Sequence, residues 1–416
     1  MLKSKKDKLI PAIGVIFSIG GMCQTFAPGA AVQAEQTGSA KPAAQSQESG
    51  GAKPQDPFAN LPDVPTPKEP TARSWKETFF KENLGFRKEI MSQFDIDQDG
   101  RGASRQSVGF ELLKKFSTAT STVASFDFQG RFVRRDGFNA VMNDMEGVGR
   151  RGWAFEYHNL YLDVYNVLNP LLSDEQRRKS VGHFNFRMGR FYVPFGLNLQ
   201  TDTHGTVLQL SNERNFGFER DWYTGFWGSL NKYLNYDAYY LVGSGYDLKY
   251  NGQRGIAAAR LSLSNQYSSM YGLEAGFSFL GGERLSAEAS DRKESPVRTE
   301  RAGIDGRYRR AVPTGLLTFT NEVSGGRDAS DAVFVLLHGA EYLHSSRRWG
   351  VATQYRRFHQ DGAGTDSSII GELSWYFRND VGNSNSHWIK LNVERQLARA
   401  QGPPVTVVTL QYYFYR

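Results

Sequence analysis

The charged side chains of this sequence are spaced for pairing rather than for bond-making. Arg131, Arg187, Arg260, Arg301, Arg307, Arg309, Arg356 and Lys390 stand among apolar neighbours, as do Asp127, Glu156, Asp237, Glu274, Asp305, Glu322, Glu372 and Glu394. Opposite charges at alternate positions of extended segments fall on one face, where they pair across strands and set a transverse field. Arg301, Arg307 and Arg309 form the densest basic rung of that face. A separate polar run occupies one long connection: Asn198, Gln200, Thr201, Asp202, Thr203, His204, Asn212, Glu213 and Arg214. Such a loop can fold into a wet interior, because water or polar walls satisfy its groups.

Bond-making chemistry has little to stand on. The seven histidines are scattered and form no H-E-x-x-H or comparable metal spacing. Asp95, Asp97, Asp99 and Gly100 match the start of a calcium loop, but position twelve is Gln106, so a polar hairpin is the better reading. No nucleophile elbow or phosphate-cradling glycine loop occurs. The single cysteine, Cys23, precedes the expected mature chain, which leaves no disulfide, thiolate or attachment motif for c-type haem. The expectation is a non-enzyme without cofactor or metal.

Residues 1–34 read as a secretory signal: Lys3, Lys5, Lys6 and Lys8, an apolar stretch from Leu9 to Ala27, and the small-residue site Val32-Gln33-Ala34. Residues 35–85 follow as a disordered periplasmic linker, rich in Pro, Ala, Gly, Gln and Ser, with a short pre-barrel segment from Trp75 to Leu84. From 86 to 416 the chain breaks into segments with period-two alternation. The clearest set Ala124, Phe126, Phe128, Gly130 and Phe132 against Ser125, Asp127, Gln129 and Arg131, and Leu273, Ala275, Phe277 and Phe279 against Glu274, Gly276 and Ser278.

Strands are expected at 86–97, 107–117, 121–134, 153–166, 181–193, 222–232, 234–243, 255–265, 268–280, 299–310, 314–324, 332–344, 347–359, 367–378, 386–397 and 405–415. Long connections at 135–152, 194–221, 244–254 and 281–298 follow odd-numbered strands, and short turns follow most even-numbered ones. The connections 167–180 and 379–385 are exceptions, and Asn169-Pro170 with the charged run after it suggests a helical turn in the first.

Beyond the leader no stretch approaches 18 consecutive apolar residues, and mean hydropathy is −0.51, which removes helical membrane spans. Aromatic content is nevertheless high, with 20 tyrosines and 28 phenylalanines. A transmembrane antiparallel β-barrel of about 16 strands reconciles the two, since outward apolar and inward polar residues cancel in any hydropathy window. Trp222, Tyr223, Trp227, Trp349, Trp388 and Tyr412 suit interfacial girdles. Such a barrel faces outer-membrane lipid. The net charge is +7, and removing the four lysines and Asp7 of the leader leaves about +4, too little for a nucleic-acid partner.

The stretch Met188-Gly189-Arg190-Phe191-Tyr192-Val193-Pro194-Phe195-Gly196-Leu197, followed by Glu213-Arg214 and then Arg220-Asp221, resembles the phosphate-selective porin O/P superfamily. The resemblance is specific over about 40 residues. It implies a 16-stranded outer-membrane barrel whose long third loop folds inward to constrict a passive pore for small hydrophilic solutes or anions. The constriction candidates are then Asn198, Gln200, Asp202, His204, Glu213 and Arg214 of the loop, opposed by Arg187, Arg301, Arg307 and Arg309. The mixed lumen face does not carry phosphate selectivity across; a mild anion preference is the most it implies. Homotrimers are common for porins of this size. The alternative left open is a sheath barrel holding a separate periplasmic multihaem cytochrome.

Overall fold

In the computed structural model, residues 84–117, 122–137, 152–173, 175–176, 182–197, 215, 218–231, 233–245, 248–263, 272–285, 295–379, 386–400 and 402–416 are described. The expected signal peptide and nearly all of the expected linker lie outside them. Alternation along each segment drives the architecture. In β15, Lys390, Asn392 and Glu394 are buried, whereas Ile389, Leu391 and Val393 are exposed. Charge turned inward and hydrocarbon turned outward is the reverse of a soluble sheet, and it suits a wall with lipid outside and water within.

Sixteen strands form: β1 (Leu84–Asp97), β2 (Gly102–Ser117), β3 (Thr122–Gly137), β4 (Trp153–Val164), β5 (Asn185–Tyr192), β6 (Arg220–Ser229), β7 (Leu234–Leu241), β8 (Gly255–Leu263), β9 (Leu273–Leu285), β10 (Pro296–Val312), β11 (Gly315–Asp328), β12 (Asp331–His344), β13 (Trp349–Gln360), β14 (Gly364–Asn379), β15 (Ser386–Ala398) and β16 (Thr406–Tyr415). Each pairs antiparallel with its chain neighbours, and β1 also pairs with β16, closing the sheet into a barrel. At the seam Arg416 and Lys88 exchange backbone hydrogen bonds of 2.6 and 2.9 Å, so the ladder continues past the last aromatic residue. Closure leaves no edge strand in the sheet.

Every expected strand is present, with shifted bounds. β2 begins at Gly102 rather than 107, because its first residues are small or polar and carry no apolar signal. Its start leaves only residues 98–101 to join β1 and β2. Asp97 accepts the amides of Asp99 (3.0 Å) and Arg101 (2.8 Å) and pairs with the Arg101 guanidinium at 2.6 Å. Its carboxylate thus caps a hairpin turn. The connection between β4 and β5 carries a 3-10 turn at Asn169–Leu171, with Pro170 near its start, where a missing N–H costs nothing.

Connections on one rim are uneven. Those after β3, β5, β7 and β9 span 138–152, 193–219, 242–254 and 286–295, whereas those after β11 and β13 are only 329–330 and 361–363. The aromatic girdle needs correction. Trp222, Trp349 and Tyr412 face outward by register, but Tyr223, Trp227 and Trp388 point into the barrel, with Tyr223 only 4% exposed. β6 carries aromatics on both faces (Trp222 and Phe226 against Tyr223 and Trp227), so its sequence does not reveal which face is which.

Candidate pore constriction

At the end of β5 the chain leaves the wall. Val193 still donates to the Glu219 carbonyl (2.9 Å), and then Phe195 N–H reaches back to the Val193 carbonyl at 2.8 Å. That i to i+2 bond makes Pro194 the centre of a tight turn, for which its fixed φ is suited and its absent N–H is no loss. Gly196 follows at φ +61°, a conformation that favours glycine. Its amide donates to Ser278 Oγ on β9 (3.0 Å), and the Leu197 amide donates to Glu322 Oε2 on β11 (3.1 Å). In the sheet β6, β7 and β8 separate β5 from β9. These contacts therefore run through the interior.

Asn215 anchors the same connection further along. Its Oδ1 accepts from Arg301 Nε at 2.8 Å, its carbonyl accepts from Arg301 Nη2 at 3.0 Å, and its Nδ2 donates to Ser324 Oγ at 2.9 Å. Arg301 is further tied to Asp328 (2.9 Å), which also holds Arg284 (2.9 Å). An apolar seat lies beside this latch: Val193, Phe195 and Phe218 pack on inward-facing Tyr223, Tyr239, Leu241, Ile256, Ala258 and Leu280 of β6 to β9. Burial of such side chains is worth about 1.5–3 kcal/mol each. Asp221 fixes the neighbouring connection, accepting the amides of Gly243 (2.5 Å), Ser244 (3.2 Å) and Gly245 (2.9 Å).

The proposed basic rung divides in two. Arg301 is spent on the latch and is 1% exposed. Arg187 is held by Asp163 in a fork of 2.6 and 2.8 Å and lies against the rings of Tyr161, Phe191 and Trp227. Arg307 and Arg309 instead border an interior cavity of about 300 Å³ along β10 to β15, roofed by Leu197, and both approach Glu274, at 3.6 and 3.1 Å. Asn198, Gln200, Asp202, His204, Glu213 and Arg214 lie outside the described residues.

Four other pairs of inward charges meet across strands. Glu89 holds Arg131 at 2.7 Å, Asp305 holds Arg260 at 2.6 Å, Glu394 holds Arg356 at 3.1 Å and Glu372 holds Lys390 at 3.0 Å. Sequence reasoning missed Asn215, Asp328, Ser278 and the apolar seat. The signal for the seat was present: Leu241, Ile256 and Leu280 occupy inward positions on consecutive strands, where a water-filled lumen has no use for them. Among the described residues no cluster of three or more metal-ligating side chains occurs.

The sequence matches no family model and no curated protein. Solved structures do match. An anion-selective porin from Comamonas acidovorans superposes over 80% of this chain and 99% of its own, with TM-score 0.51 and 10% identity. OprB from Pseudomonas putida covers 82% and 96%, with TM-score 0.57 and 9% identity. OmpF from Salmonella typhi, solved with daunomycin, covers 80% and 97%, with TM-score 0.52 and 12% identity. The fold is that of the porins. Within the porin fold, the constriction geometry of this chain rests on its own residues, since so little sequence is shared.

Proposed function

We propose that this chain is an outer-membrane porin through which small hydrophilic solutes and ions diffuse passively. One observation carries the reading: the described residues of the connection after β5, Gly196, Leu197 and Asn215, anchor inside the barrel on β9, β11 and β10, and Leu197 borders a charged cavity along the β10–β15 wall. An inward loop narrows a lumen without filling it, and paired wall charges lower the barrier for hydrated solutes without holding them tightly. Export through a cleaved leader at 1–34, a linker at 35–85 and lipid against the outer wall belong to the same proposal. So does a relationship to the O/P superfamily, supported by the turn that Pro194, Phe195 and Gly196 build.

Selectivity is expected to be weak. Arg301 and Arg187 are consumed by structural contacts, and on the cavity wall Arg307, Arg309 and Lys390 meet Glu322, Glu341 and Glu372. Any anion preference then comes from Arg307 and Arg309. A chain that occupies its own lumen leaves less room for a cytochrome, so the sheath reading has less support. Planar-bilayer conductance with reversal potentials in a salt gradient tests the proposal: defined channel steps with a small reversal potential are expected, and the absence of steps from folded protein would end it.

A further inference from the structure

The cavity along β10 to β15 has a composition that a bare conduit does not require. Its wall carries Arg307, Arg309 and Lys390 together with Glu322, Glu341 and Glu372, with hydroxyl and amide side chains between them. A solute of either charge meets as many like charges there as opposite ones. A neutral solute bearing several hydroxyls finds a donor or an acceptor at each position.

An aromatic platform borders the same cavity. Tyr376 lines it, set edge-on to Trp388 with ring centres 6.0 Å apart at 71°. Trp388 stacks on Tyr413 at 4.5 Å and 27°, and Tyr413 in turn stacks on Tyr415 at 6.4 Å and 14°. All four rings face inward by the register of β14 to β16. A ring braced in this way offers rigid apolar area at little entropic cost. The C–H face of a pyranose lies well against such a surface, while its hydroxyls project toward polar neighbours.

Glu372 supplies an unmatched acceptor beside the cavity. Its Oε1 is occupied by Lys390 Nζ at 3.0 Å and Ser374 Oγ at 2.7 Å, whereas its Oε2, on a side chain almost wholly buried, has no hydrogen-bond partner. A buried acceptor left unmatched is costly and wants a donor. The volume of about 300 Å³ lies at the lower end of small-molecule sites, which suits one sugar ring better than a chain of them.

We propose that this cavity is a weak binding site for a neutral polyhydroxylated solute of monosaccharide size, held between the Tyr376 ring and the Glu372–Lys390 pair. The inference rests on the pore reading, because the charged and aromatic residues of the site face the lumen. The test uses full-length purified protein in planar bilayers, titrated with glucose and, in parallel, with inorganic phosphate. Glucose is expected to lower the current with a half-effect on the order of millimolar. Tyr376→Ala and Glu372→Gln should each raise that concentration about tenfold, as loss of one good contact does, and Tyr376→Phe should not.

Equal glucose sensitivity in wild type and Tyr376→Ala would overturn the site, as would block by phosphate without block by glucose. Should the bilayers stay silent, the pore reading fails, and fluorescence of detergent-folded protein decides the site independently. A glucose-dependent change present in wild type and absent in Trp388→Phe supports it, and no change in wild type overturns it.

Discussion

Replacing Phe195 by alanine should undock the lumenal connection while leaving the barrel standing. Phe195 is fully buried and packs inside the barrel on Leu241, Ile256 and Leu280, yet it takes no part in any strand ladder. Truncating a buried phenylalanine costs about 3–5 kcal/mol, and here that cost falls on the docked loop. At about 1.4 kcal/mol per tenfold, the ratio of docked to undocked loop falls by roughly two orders of magnitude or more. The latch between Arg301 and Asn215 still contributes about 1.5–3 kcal/mol through hydrogen bonds to a charged group. The single variant should therefore show larger and noisier open-channel current, and Phe195→Ala with Asn215→Ala should show a uniformly larger conductance. Single-channel recording reads both, and heat-modifiable gel migration confirms folding. If both variants fold and conduct with wild-type amplitude and noise, the docked connection is not what limits the current.

Asp221→Ala should release the turn at 243–245, since three amides lose an ionised acceptor, each such bond being worth about 1.5–3 kcal/mol. Trypsin should then cut after the exposed Arg254 at least about tenfold faster, with Asp221→Asn intermediate, and unchanged cleavage would contradict the role. Leu391→Arg places a charge on the outward face between Ile389 and Val393 and should cost about 2–4 kcal/mol in urea unfolding from lipid vesicles. A neutral result would mean that this face does not meet hydrocarbon. Arg309→Gln should move the reversal potential toward cation preference, whereas Arg301→Gln should barely shift it, because Arg309 borders the cavity while Arg301 is buried against Asp328 and Asn215 away from it. Equal shifts from the two would refute the division of the basic rung.

The strands were legible because their side chains obey one simple rule, hydrocarbon out and charge in, over ten or more residues at a time. β15 and β16 read cleanly for that reason. β2 lost its first residues to the reading since Gly102, Ala103 and Ser104 are too small to declare a face. The orientation of Tyr223, Trp227 and Trp388 was hidden for the opposite reason, as aromatic residues serve equally at a lipid boundary, under a loop or beside a cavity.

The candidate site was legible in type more than in arrangement. The pairing of lumenal charges follows from their spacing, and Arg307 and Arg309 do border the cavity. The latch does not follow, because Arg301 and Asn215 are 86 residues apart and meet only after the barrel has closed. Leu197 and Glu322 are 125 apart. Contacts of that range depend on where the sheet closes, and no local pattern encodes it.

The uneven rim bears on how the molecule meets its surroundings. Where β11 joins β12 and β13 joins β14, the chain turns back within two or three residues, so the mouth there stands almost level with the end of the wall. The connection 242–254, by contrast, holds Leu248 and Tyr250 out to solvent. A peptide tag grafted at 361–363 would sit low against the surface, and one grafted at 248–252 would stand clear of it. An antibody or adsorbing particle therefore reaches the end of the barrel wall directly at these two tight turns.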